Sequence, residues 1–113
     1  MSDTDDDFQD FHEAVSEHTS HDEAAQQIKL ARTCLEMGMT ADAIAALTDA
    51  ARAPRHRFEA SALLGRIHRD RGEWAEAIEW FERASGAPAP SVEDARTLLD
   101  DLNAAREAHK PQG

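Results

Sequence analysis

The chain repeats itself at a fixed distance of 34 residues, without a gap, through most of its middle. Laying residues 21–54 over residues 55–88 puts Leu30 on Leu64, Ala31 on Gly65 and Gly38 on Gly72. It also puts Ala43-Ile44 on Ala77-Ile78, Leu47 on Phe81, Ala50 on Ala84 and Pro54 on Pro88. A period of that length confines the fold to stacked units, each too small to bury its apolar face alone. Within each unit the apolar residues recur at helical spacing, with a glycine at the centre and a proline at the end. The glycines tolerate the left-handed conformation of a helix end, and the prolines forbid continuation. Each unit therefore reads as helix, turn, helix.

The second unit carries Leu64-Gly65, Gly72, Ala77, Phe81, Ala84 and Pro88 at the spacing of a known motif. In this it resembles the tetratricopeptide repeat (TPR) family. Ser61 and His68 stand where that motif has its large aromatics. The first unit has Gln27 and Cys34 there, and Ala31 for the glycine. The resemblance implies an all-α, TPR-type α-solenoid: two antiparallel helix pairs, an N-terminal helix and a C-terminal capping helix. It further implies a concave surface, lined by the first helix of each pair, that serves protein partners.

The remaining elements follow in chain order. Residues 1–6 are polar and acidic and are expected to stay disordered. A single domain is expected over residues 7–109. Phe8, Phe11 and Val15 share one helical face, so residues 7–17 read as a short helix that either caps the solenoid or occupies its groove. Ser20 with Glu23 makes a capping box for a helix expected to run to Met37, its apolar surface supplied by Ile28, Leu30, Cys34, Leu35 and Met37. Thr40 is the expected cap of the next helix. The second pair is expected from about Arg57 to Arg71 and from Trp74 to Ser85. Small residues at Ala31, Ala43, Ala50, Gly65, Ala77 and Ala84 allow close helix approach, so a leucine at Gly65 or Ala77 should overpack, at about 1–3 kcal/mol. Ser91 with Asp94 starts a last helix over residues 91–109, with Val92, Ala95, Leu98, Leu99 and Leu102 on one side and Asp100, Asp101 and Asn103 facing water.

Charge limits the partners. The net charge is −11, and nine of the 23 acidic residues fall within residues 1–23, which have no lysine or arginine. Such acidity disfavours nucleic acid and anionic membrane as partners. No apolar run is long enough to span a bilayer, and the start has no signal-peptide order. One cysteine cannot form an internal disulfide, which fits a cytoplasmic setting. His18, His21 and Asp22 are the nearest approach to a metal cluster, but His21 belongs in a helical turn that excludes His18. No glycine-rich phosphate loop and no paired carboxylates in an apolar pocket occur, so neither a cofactor nor an enzymatic activity is expected. Cys34 and His68 read as buried packing residues.

A stripe of arginines is the candidate binding feature. The inner face expected from the resemblance holds Ala25, Ile28, Arg32, Leu35 and Glu36 in the first unit, Glu59, Ala62, Arg66, Arg69 and Asp70 in the second, and Arg96, Asp100 and Asn103 in the last helix. Its binding residues are expected to be Ile28, Arg32, Leu35, Ala62, Arg66, Arg69 and Arg96. Guanidinium groups grip carboxylates bidentately, so an acidic, partly apolar peptide segment of a partner protein is the expected guest of an adaptor module. The alternative is that these arginines only form solvated pairs such as Arg32 with Glu36 and Arg66 with Asp70. Asparagine occurs only at Asn103, so the Lys/Asn/Arg set with which some chaperone cofactors of the family clamp a C-terminal carboxylate is missing. Two rival readings are a homodimer through Trp74 and Trp80, and a groove filled by the chain's own acidic N-terminal segment.

Overall fold

The computed structural model describes residues 23–110; the expected helix over 7–17 and the His18–His21–Asp22 cluster lie outside them. Five α-helices make up the described residues: α1 (23–36), α2 (Thr40–Ala50), α3 (Arg57–Asp70), α4 (Trp74–Ser85) and α5 (Val92–His109). A short 3₁₀ turn, Pro54–His56, leads from the first pair into the second. The fold is all-α and of TPR type, two helix pairs followed by a closing helix.

The two turns inside the pairs are the same structure built twice. Gly38 and Gly72 have φ of 79° and 76°, the left-handed region that costs a β-carbon about 1–2 kcal/mol. At the first turn the N–H of Met39 bonds the carbonyl of Cys34 at 2.7 Å and that of Gly38 bonds Leu35 at 3.1 Å. At the second, Glu73 bonds His68 at 2.8 Å and Gly72 bonds Arg69 at 2.9 Å. This paired closure satisfies carbonyls that the helix end would otherwise leave free. Helix α1 stops at residue 36, one short of the expected Met37, because Met37 and Gly38 form the turn.

The central helix α3 belongs to two cores at once. Its Ala60, Leu64 and Ile67 pack with Ala24, Ile28, Ala31 and Cys34 of α1 and with Ala43, Leu47 and Ala50 of α2. Its Phe58 and Ala62 pack with Ala77, Phe81 and Ala84 of α4 and with Leu98, Leu102 and Ala105 of α5. Cys34 is a buried free thiol, as its place in the pair suggests. His68 is largely buried, and its Nδ1 lies 2.9 Å from Glu73 Oε1, a partner the repeat pattern did not indicate.

Several expectations need correction. Thr40 is the first residue of α2 rather than its cap; Met39 holds the cap position, and no side chain caps the helix. Leu30 and Met37 are 56 % and 69 % exposed, although Leu64, the 34-residue equivalent of Leu30, is fully buried. The reason is positional: Leu64 packs in the first core against the preceding pair, and no described helix precedes α1. On α5 only Leu98, Leu102 and Ala105 are buried; Val92 and Leu99 are exposed because α5 packs on α4 and no described helix follows it. Asp101 does not face water but bonds two arginines of α3.

Candidate functional site

A helix that starts a pair turns one face to its own partner and leaves a neighbouring face for the equivalent helices beside it. Helices α1, α3 and α5 thereby contribute to one surface. Arg32 of α1 and Arg66 of α3 line the same open hollow of about 320 Å³. Phe58, Ala62 and Leu63 supply its apolar lining, and Glu59, Pro90 and Asp94 the rest of its rim. Nearer the start of α1 a second hollow of about 380 Å³ adjoins it, sharing Arg32 and Glu59 and adding Ile28 and His56.

The arginines are held by carboxylates of neighbouring helices rather than of their own. Arg32 donates from a terminal nitrogen to Glu59 at 2.7 Å, tying α1 to α3. Arg66 donates through Nε to Asp101 Oδ2, and Arg69 through a terminal nitrogen to Asp101 Oδ1, both at 3.3 Å. One carboxylate of α5, 19 % exposed, thus bridges two arginines one turn apart on α3. The expected pairs with Glu36 and Asp70 do not form at Arg32 and Arg66; Asp70 instead accepts from its neighbour Arg69 at 3.3 Å. These side chains are solvated enough that each pair is worth roughly 0–1 kcal/mol, so the network orients more than it stabilises.

The structure brings together some of the expected binding residues and not others. Arg32, Ala62 and Arg66 meet at one hollow, and Arg69 joins them through Asp101. Ile28 lines the adjoining hollow while being almost wholly buried in the first core. Leu35 is half-buried against that core, and Arg96 is exposed on α5 without lining either hollow. Trp74 packs on the second core and Trp80 on the first, where Arg83 lies 4.5 Å above its ring. Asp101 is the site residue that sequence reasoning missed; Glu59 is expected on this face, but not as the partner of Arg32. For Asp101 the signal lies in the 34-residue spacing: it falls one turn beyond Leu98, the equivalent of Leu64, and so beside the matching turn of α3.

Among the described residues no group of three or more His, Cys, Asp or Glu is placed to hold a metal ion. No described helix is long and apolar enough to cross a membrane. No curated protein and no solved structure matches the chain. The family model of the tetratricopeptide repeat matches residues 28–93, which is more than half the chain and runs from within α1 through the second pair to the start of α5. With the 34-residue period, the two identical glycine turns and the shared face of α1, α3 and α5, this makes the chain a member of the tetratricopeptide repeat family.

Proposed function

We propose that the protein is a non-catalytic adaptor that holds a segment of a partner protein along the concave face of α1, α3 and α5. Membership of a family whose domains generally bind other proteins supports this at the level of class. The observation that carries the finer reading is the state of Arg66. Its bond to Asp101 runs through Nε, and neither terminal nitrogen has a hydrogen-bond partner among the described residues, which leaves both for a guest at a hollow floored by Phe58, Ala62 and Leu63. A segment with a carboxylate beside an apolar side chain fits that pairing. Because Glu59 and Asp101 already sit on the arginines, the guest's carboxylate replaces an internal one, and net affinity is modest, on the order of micromolar for so small an interface. A cytoplasmic setting suits the buried free thiol of Cys34.

Affinity capture from extract of the source cell, with Arg32→Glu/Arg66→Glu as control, tests the reading. A partner lost in the double mutant supports the groove. A partner held equally by both forms moves the site off this face.

Self-association is the second reading, and the exposure of Val92 and Leu99 on the outer face of α5 favours it. Two apolar side chains seven residues apart on one helix form a short stripe suited to a helix of a second copy.

A further inference from the structure

A third hollow, of about 570 Å³, lies at a different place, where the ends of α2 and α4 and the start of α3 converge. Its lining includes Arg52, Arg57, Ser61, Trp80, Glu82 and Arg83. Two features distinguish it from an ordinary surface groove. First, Ser61 is fully buried and its hydroxyl has no hydrogen-bond partner among the described residues, at a position the repeat motif gives to a large aromatic. A small residue there leaves space beside Trp80 and an unsatisfied polar group next to it.

Second, positive charge gathers at the hollow. Among the described residues Arg57 bonds only backbone carbonyls, those of Ala51 and Arg52, and Arg52 makes no ion pair. Arg83 lies over Trp80 and pairs with Glu79. The one acid of the lining, Glu82, is engaged from the other side by Arg106 at 3.6 Å. An occupant with carboxylates and an aromatic side chain matches these groups.

We infer that the chain's own acidic amino-terminal segment, residues 5–11, docks in this hollow in cis. Its sequence, Asp5-Asp6-Asp7-Phe8-Gln9-Asp10-Phe11, combines four carboxylates with two phenylalanines. Its tether begins at the right corner. Ala24 at the start of α1 lies in the first core with Ala50 and Ala51 at the end of α2, and Ala51 lines this hollow. The twelve residues from Phe11 to Asp22 span at most about 40 Å, at roughly 3.3–3.6 Å each, and less where the chain is helical. A short tether holds the segment at high local concentration, so a weak match of charges and rings suffices. Docking there leaves the face bearing Arg32 and Arg66 open, so the inference stands independently of the proposed function.

Paramagnetic relaxation in the full chain tests it. A nitroxide is attached at Gln9→Cys in a Cys34→Ala background, and broadening is compared at the Trp80 indole N–H and at the backbone amides of Arg32 and Asp94. The expected result is that Trp80 loses more than half its intensity while Arg32 and Asp94 keep theirs. The double variant Arg52→Glu/Arg83→Glu should restore the Trp80 signal; Arg57 is left alone because it holds the end of α2. Raising salt to about 1 M, where screening acts within about 3 Å, should restore it in the unmutated chain, which guards against a misfolded variant. Broadening centred on Arg32 and Asp94 overturns the inference in favour of a groove filled by the tail, and broadening nowhere overturns it outright. Broadening of an unlabelled chain mixed with a labelled one overturns the cis arrangement.

Discussion

The ring of Phe81 lies directly against the backbone of Gly65, so close that a β-carbon on Gly65 would overlap the ring. The missing side chain is what lets α3 and α4 approach, and Phe81, fully buried, has no room to retreat. Gly65→Ala would gain about 1 kcal/mol of helix propensity, yet the overlap should cost about 1–3 kcal/mol or more. A net loss in urea midpoint is expected. Gly86→Ala is the control, because the nearest atom to a β-carbon there is 3.6 Å away, and it should leave the unfolding free energy within about 0.5 kcal/mol of the starting protein's. Equal midpoints for the two variants would remove the Phe81 contact as the reason for the glycine.

Gly72 serves the turn rather than the packing. Its φ of 76° is the constraint, since nothing among the described residues lies within 4 Å of a β-carbon there. Gly72→Ala should cost about 1–2 kcal/mol through backbone strain alone, and Gly72→Asn less, because asparagine tolerates that region. Chemical denaturation of both variants checks the order. Alanine as stable as asparagine would mean that the turn adopts another conformation.

The elements that were legible in the sequence are those fixed by periodicity and by backbone chemistry. The glycine turns, the limits of α4 and the Ser91 start of α5 follow from the 34-residue period and from what glycine, proline and serine do locally. Burial was less legible where a residue's neighbour is another unit. Leu30 and Leu64 are identical in register, yet one is exposed and the other buried, because only Leu64 has a described pair before it. The arginine stripe was visible, but its partners were not. Glu59 and Asp101 reach Arg32, Arg66 and Arg69 across helices, at sequence distances of 27, 35 and 32, which no helical spacing rule covers. Leu99 carries a related lesson: it occupies the register of Ala31 and Gly65, where a following helix needs a small residue, and so marks α5 as a closing helix.

Capping divides the helices and can be tested on α5. Ser91 Oγ accepts from the N–H of Asp94 at 3.0 Å, satisfying one donor at the helix start. Ser91→Ala should cost about 0.5–2 kcal/mol, and hydrogen exchange should quicken first in the opening turn of α5. Thr40→Ala should cost only a few tenths, since no side chain caps α2. A larger loss from Thr40→Ala than from Ser91→Ala would invert this assignment.

The binding face makes a prediction of opposite signs. If a guest carboxylate competes with Glu59 and Asp101 for the arginines, removing those acids should help the guest. Glu59→Gln/Asp101→Asn should raise the affinity of an acidic, partly apolar partner segment several-fold, while Arg32→Glu/Arg66→Glu should abolish its binding. Stability should shift by no more than about 1 kcal/mol per pair, because the pairs are solvent-screened. Titration calorimetry with the captured partner segment gives the affinities, and thermal unfolding gives the stabilities. Weaker binding by the amide variant would mean that Glu59 and Asp101 hold the arginines in the binding geometry rather than compete for them, and the exchange model would fall.

Self-association, if it occurs, should run through α5. Val92 is 76 % exposed and Leu99 53 %, so charging them changes little inside the fold. Val92→Glu/Leu99→Glu should leave the melting temperature of dilute protein nearly unchanged and the sedimenting species monomeric at every concentration. The unmodified chain should show a weight-average mass that rises with concentration. A chain that stays monomeric without the substitutions would end the homodimer reading. One that dimerises equally with and without them would place the contact elsewhere, and Trp80 with Arg83 stacked on its ring would be the next surface to alter.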